Sequence, residues 1–279
     1  MRTLHSGRLF GVCLCLLGIA IPARANLVIC AYLQNQLFVA ADSCVITNAA
    51  GATTHAPRVF RLGDSACASL TGFGGPSFKN KKNGQIKHVL FTTDLEQVCQ
   101  SADVGNAPLP KKIQKLVTHF GERYRDCLIT LMKPDEVMLQ ETRGIGTRIA
   151  VAGFDPANDR FFGNSYRFSL TNRTVVEPLF ENDATNKLGG LSFQGDTKFL
   201  GALLSGEPRL TKLPSDDFRK TLADLYGGAP VAEERVIQCV LEMFRLNNKY
   251  AAAMGYETEP CDEPYSVFRI TRDQFVQVR

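Results

Sequence analysis

Asn26, Asp42, Arg58 and Gly72 stand sixteen, sixteen and fourteen residues apart. A fixed register of this kind matters where a chain uses one of its own residues to attack an amide. Some hydrolases take the nucleophile from their own first residue, whose free α-amine accepts the proton. Such a centre needs its other groups at fixed distances along the chain. Asn26 becomes a first residue if the chain is cleaved after Ala25. Its carboxamide nitrogen is a poor nucleophile because the lone pair is delocalised. Arg58 holds its proton, so it can pair with Asp42 but cannot shuttle a proton.

Other nucleophiles are less well placed. Cys30 would serve only if four more residues were trimmed, and its place in an apolar run fits a buried small hydrophobe. Ser43 and Cys44 follow Asp42, but no histidine is recognisably placed to make a Ser-His or Cys-His arrangement. His55 and His88 read as loop residues. The turn Gly72-Phe73-Gly74-Gly75 lacks the Lys-Ser/Thr of a phosphate loop. There is no C-x-x-C pair and the four histidines are scattered, so neither a metal nor a cofactor is expected.

The first 25 residues read as a signal peptide. Arg2 and Arg8 give a basic start, Leu9 to Ile21 an apolar stretch, and Ala23-Arg24-Ala25 a cleavage site. Export to a periplasmic or extracellular location is therefore expected, with no membrane association after cleavage. Residues 26–279 then form one domain large enough to bury a sizeable core. The formal charge of +4 falls to +1, because residues 1–25 carry three arginines and no acid. Nothing in that balance calls for nucleic acid. Seven cysteines remain, so at least one thiol is free, and spacing leaves the connectivity open.

The positioning elements follow from hydrophobic periodicity. Residues 27–33 and 37–41 read as a hairpin around Gln34-Asn35-Gln36, and residues 66–71 as a strand ended by glycines. Residues 76–88, with four lysines, read as a solvated loop. Helices are expected over 93–101 (capped by Thr93 or Asp94), 110–131, 196–204, 216–226 and 231–249. Cys99 and Cys127 either face each other across the first two or are separately buried. Strands are expected over 148–154, 160–170, 174–180, 265–271 and 275–278. Strands, two helices, strands, helices and strands in that order predict an α+β domain with antiparallel sheet.

The stretch Asn26-Leu-Val-Ile-Cys-Ala-Tyr, then Leu37-Phe-Val-Ala-Ala-Asp42-Ser43, Arg58-Val-Phe-Arg-Leu and Ser69-Leu-Thr-Gly72 resembles the proteasome β-subunit-type N-terminal nucleophile hydrolases. That family has a Thr-led strand, a strand ending in Asp-Ser, a Lys before an apolar pair, and a strand ending at Ala-Gly. Looser matches are Ile149-Ala-Val-Ala-Gly-Phe-Asp155, Phe193-Gln-Gly195-Asp196, and the last helix with Tyr265 to Thr271. The resemblance implies a four-layer α-β-β-α sandwich with antiparallel sheets. It also implies roles for Asn26 as first residue, Asp42 and Arg58 as its tuning pair, and Gly72 as oxyanion donor. Asn26 and Arg58 depart from the family's Thr and Lys. Asn247-Asn248 stands near the family's distal support, and Gln194-Gly195-Asp196 lacks its serine. The expected function is a degenerate, non-catalytic member with a binding or assembly role. The alternative is an amide hydrolase, a peptidase or amidase, with an unorthodox N-terminal nucleophile. A peptide or small amide ligand and a homo-oligomer are the partners that the resemblance brings in.

Overall fold

A computed structural model describes residues 24–25, 27–47, 53–75, 77–103, 107–129, 135–138, 147–168, 170–171, 175–176, 179–185, 190–195, 197–256 and 261–279. The chain opens with β1 (Arg24–Ala25), β2 (Leu27–Tyr32), β3 (Leu37–Thr47), β4 (Thr53–Ala56), β5 (Val59–Arg61), β6 (Ala66–Phe73), β7 (Ser77–Asn80) and β8 (Ile86–His88). Helices α1 (Phe91–Ala102) and α2 (Leu109–Ile129) follow. Then come β9 (Glu136–Met138), β10 (Thr147–Asp155), β11 (Arg160–Phe168), β12 (Leu170–Thr171), β13 (Val175–Val176), β14 (Leu179–Thr185) and β15 (Gly190–Gly195). Helices α3 (Lys198–Leu204), α4 (Asp216–Tyr226) and α5 (Glu233–Tyr250) lead into β16 (Asp262–Ile270) and β17 (Phe275–Gln277).

These elements give a mixed α/β architecture with two main antiparallel sheets and five helices among the described residues. The first sheet runs β1-β6-β10-β11-β14, with β5 also on β6. The second runs β15-β2-β3-β16-β17, with β4 also on β3. Smaller sheets are β8-β7-β9 and β12-β13.

Strand β2 explains how the sheets are held. All six of its residues are buried, and alternate side chains point to opposite faces. Leu27, Ile29 and Ala31 join an apolar cluster with α3, α4 and α5. Val28, Cys30 and Tyr32 join a different cluster that also contains Cys67, Phe154 and Phe161 of the first sheet. A third cluster packs α1 and α2 on Leu70, Ile149 and Val151 of the first sheet. Covering both faces of β2 is what replaces a polar/apolar alternation by a continuous apolar run. Each large side chain so buried contributes about 1.5–3 kcal/mol relative to exposure.

The helices keep to their sequence periodicity. In α2, Ile113, Leu116, Val117, Phe120, Tyr124 and Cys127 are buried. Helix α5 buries Val236, Val240 and Phe244, with Glu233 and Glu234 in its first turn and Lys249 in its last, the signs that suit the helix dipole. Helix α1 corrects the expected cap. It begins at Phe91, and neither Thr93 nor Asp94 caps it. Its start is set by burial instead. Phe91 packs 5.1 Å from Tyr124, and its N–H donates to the Gly74 carbonyl at 2.9 Å.

The lysine-rich stretch is not a plain loop either. Strands β7 and β8 form a hairpin in it, and β9 pairs with the outer edge of β7. Phe78, which is buried, anchors it to the core around α1 and α2. The glycine-rich segment before α3 likewise ends in strand β15, paired along the whole of β2. Cys99 and Cys127 both lie buried in one cluster.

Candidate functional site

The backbone changes sheets between β1 and β2. Ala25 is the register partner of Gly72 in the first sheet, whereas Leu27 pairs with Gly195 in the second. Asn26 itself lies outside the described residues. Its two neighbours belong to different sheets, Ala25 opposite Gly72 and Leu27 bonded to the Asp42 carboxylate.

Asp42 is carried by β3, opposite the start of β2. Its Oδ1 accepts the Leu27 N–H at 3.3 Å. The same oxygen lies 3.3 Å from Arg58 Nη1, and both side chains are fully buried. Arg58 sits in the two-residue link between β4 and β5, where its carbonyl accepts the Leu70 N–H at 3.3 Å. That bond fastens the cation to β6, the strand that carries Gly72. Two charges removed from water hold together only when paired and hydrogen-bonded. The Asp42–Arg58 pair therefore clamps the two sheets at this junction.

Gly72 has φ +80°, a left-handed conformation that glycine adopts without the steric cost of a Cβ. It is placed between two strands, opposite Thr147 as well as Ala25. Strand β3 does not end at Asp42-Ser43 as the sequence suggests. It continues to Thr47 because β4 pairs with its last four residues.

That extension makes a contact the sequence did not reveal. His55, on β4 and not in a loop, brings Nδ1 to 2.9 Å from Ser43 Oγ. The Ser43 hydroxyl is also 3.0 Å from the Glu263 carbonyl, to which it donates. Which of Ser43 and His55 donates follows the imidazole tautomer. His88 lies in β8.

Asn248, near the end of α5, supports the same region. It donates to the Cys261 carbonyl at 2.8 Å and to the Tyr265 hydroxyl at 2.9 Å, and accepts the Cys261 N–H at 2.6 Å. These bonds hold the irregularity in β16 where the register on β3 shifts between Asp262 and Ser266. Burial pushes the Tyr265 hydroxyl up to about 12, with the carboxylates of Glu263 and Asp42 adding to it. In the sequence this network is marked by the polar pair Asn247-Asn248 within the last helix.

Cys30 is a buried thiol that desolvation pushes up to about 12, against the lowering effect of hydrogen bonds with Ser192 and Tyr32. At neutral pH it is a protonated core residue, and thiolate chemistry needs the opposite environment. Gln194 and Gly195 are in β15, beside Val28 and Leu27; Asp196 lies outside the described residues. Among the described residues no group of three or more His, Cys, Asp or Glu side chains is arranged to hold a metal ion. No helix among them is long and apolar enough to cross a membrane. Comparison with protein-family models and with curated proteins gives no match.

Proposed function

We propose that this chain is an exported, divergent protein of the proteasome-type N-terminal nucleophile fold, and that it binds an extended peptide at its sheet junction without cleaving it. The fold part of this reading is a four-layer α-β-β-α sandwich. Three apolar clusters support it, one under α1 and α2, one shared by the two sheets, and one under α3 to α5.

The observation that carries the binding role is the pairing of Arg24–Ala25 with Phe73 and Gly72 at the edge of β6. Cleavage after Ala25 would release that short strand and expose the backbone donors and acceptors it covers. An uncovered strand edge is a template for an added strand. Asp42 and Arg58 would then line the junction as a fixed ion pair. The absence of catalysis rests on chemistry: Asn26 supplies no hydroxyl or thiol, and Arg58 cannot exchange a proton in place of lysine.

The test compares residues 26–279 with a chain that keeps Arg24 and Ala25. A library of extended, uncharged peptides should bind the trimmed chain saturably, bind the longer one more weakly, and be recovered intact. Absence of binding to the trimmed chain would remove the peptide role. Peptide hydrolysis that Asn26→Ala abolishes would establish the amide hydrolase instead.

A further inference from the structure

Sheet and helix leave a second recess, on β11 of the first sheet. It runs along the strand from Arg160, opposite Asp155, to Tyr166, opposite Ile149. Its floor is one face of β11, since Arg160, Phe162, Asn164 and Tyr166 alternate along the strand. Its roof is the first turn of α2. The volume is about 190 Å³.

The charged groups that line this recess are Arg160 and Asp155. Arg160 Nε is buried and makes no hydrogen bond. No carboxylate among the described residues forms an ion pair with the Arg160 guanidinium. Asp155 is its register partner, but that carboxylate is engaged in its own turn. Its two oxygens accept the Ala157 N–H at 3.0 Å and the Asn158 side-chain amide at 2.6 Å. Helix α2 has no acid in its first turn, so its N-terminal end adds positive potential over Arg160. Asn164 Nδ2 reaches the Tyr166 hydroxyl only at 3.5 Å, beyond a good hydrogen bond. Its amide can turn toward a ligand oxygen.

We propose that this recess binds a small carboxylic acid with an apolar, ring-sized body. The carboxylate pairs with Arg160, Asn164 donates a further hydrogen bond, and the body lies between Phe162 and Ile113. Size and chemistry agree. An apolar cavity of about 150 Å³ accepts benzene, so this volume accepts one ring bearing an acid group. The buried Arg160 Nε has no hydrogen-bond partner, and a planar carboxylate is the group that a guanidinium fork fits best. The site is independent of the sheet junction, and its occupation does not require cleavage after Ala25.

The test is a calorimetric titration of the whole chain with phenylacetate and with phenylacetamide, its uncharged counterpart. Phenylacetate should bind saturably at one site, and the amide roughly ten-fold to a hundred-fold more weakly. Arg160→Met, which keeps the apolar stem, should weaken phenylacetate by the same factor while leaving thermal stability unchanged. Arg272→Met, in the adjoining recess, should leave the affinity as it is. Absence of saturable binding, equal affinity for acid and amide, or full affinity in Arg160→Met would each overturn the proposal. The acid-against-amide comparison needs no variant, so it decides the matter even if Arg160→Met fails to fold.

Discussion

Arg58 and Asp42 are the two residues on which the sheet junction depends most. Each side chain is fully buried, so removing one leaves the other charged and without its ion-pair partner in a low-dielectric site. Arg58→Met is predicted to cost about 3–5 kcal/mol, read as a drop in the urea midpoint. Arg58→Lys keeps the charge but loses the fork, and should cost less. A loss under about 1 kcal/mol for Arg58→Met would mean that the pair does not clamp the sheets. The pairing itself could be anticipated from residue types and spacing. The Ser43–His55 contact could not, because it depends on β3 running four residues past Asp42, where Cys44-Val45-Ile46-Thr47 gives no turn signal.

Helix α4 shows what an element owes to local chemistry. Ser215 is its N-cap and accepts the Phe218 N–H at 3.1 Å, with Asp216 and Asp217 in the first turn. Ser215→Ala should lower stability by about 1 kcal/mol, measured by thermal unfolding; no change would show that the Ser215 N–H, which donates to Glu242 at 2.9 Å, holds this turn alone. Because its signals are local, α4 was legible to the residue. The turn of the β2–β3 hairpin and the apolar stripe of α2 were legible as well. Elements whose reason for existing lies elsewhere in the chain were not. Strand β15 reads only as a glycine-rich stretch before a helix until β2 is there to pair with it. Strands β4 and β5 are four and three residues long and exist as partners of β3 and β6. The start of α1 is set by where Phe91 is buried, which no capping rule encodes. The same split applies to the candidate site. Asp42, Arg58 and Gly72 could be named from spacing, whereas the Asn248 network follows from a tertiary contact thirteen to seventeen residues away in sequence.

At the scale of the molecule, buried thiols make the fold sensitive to alkali. Burial pushes Cys30, Cys99 and Cys239 from 9.0 up to about 12. Below pH 9 these thiols are protonated in both the folded and the unfolded chain, and their contribution is fully present. Between about pH 9 and 12 the unfolded chain releases protons that the folded chain retains. Stability should then fall by about 1.4 kcal/mol per pH unit for each such group. Urea midpoints at pH 8, 9, 10 and 11 check this; a flat profile above pH 9 would contradict the burial of these thiols. The central claim concerns the start of the chain, because the sheet edge beside Gly72 opens only if Arg24–Ala25 is released. The most direct test is the N-terminal sequence and intact mass of protein recovered from its native route. The account predicts a chain that begins at unmodified Asn26. A chain beginning at Met1 would contradict it, since no edge would be vacated, and one beginning at Cys30 would replace the binding role by a thiol nucleophile.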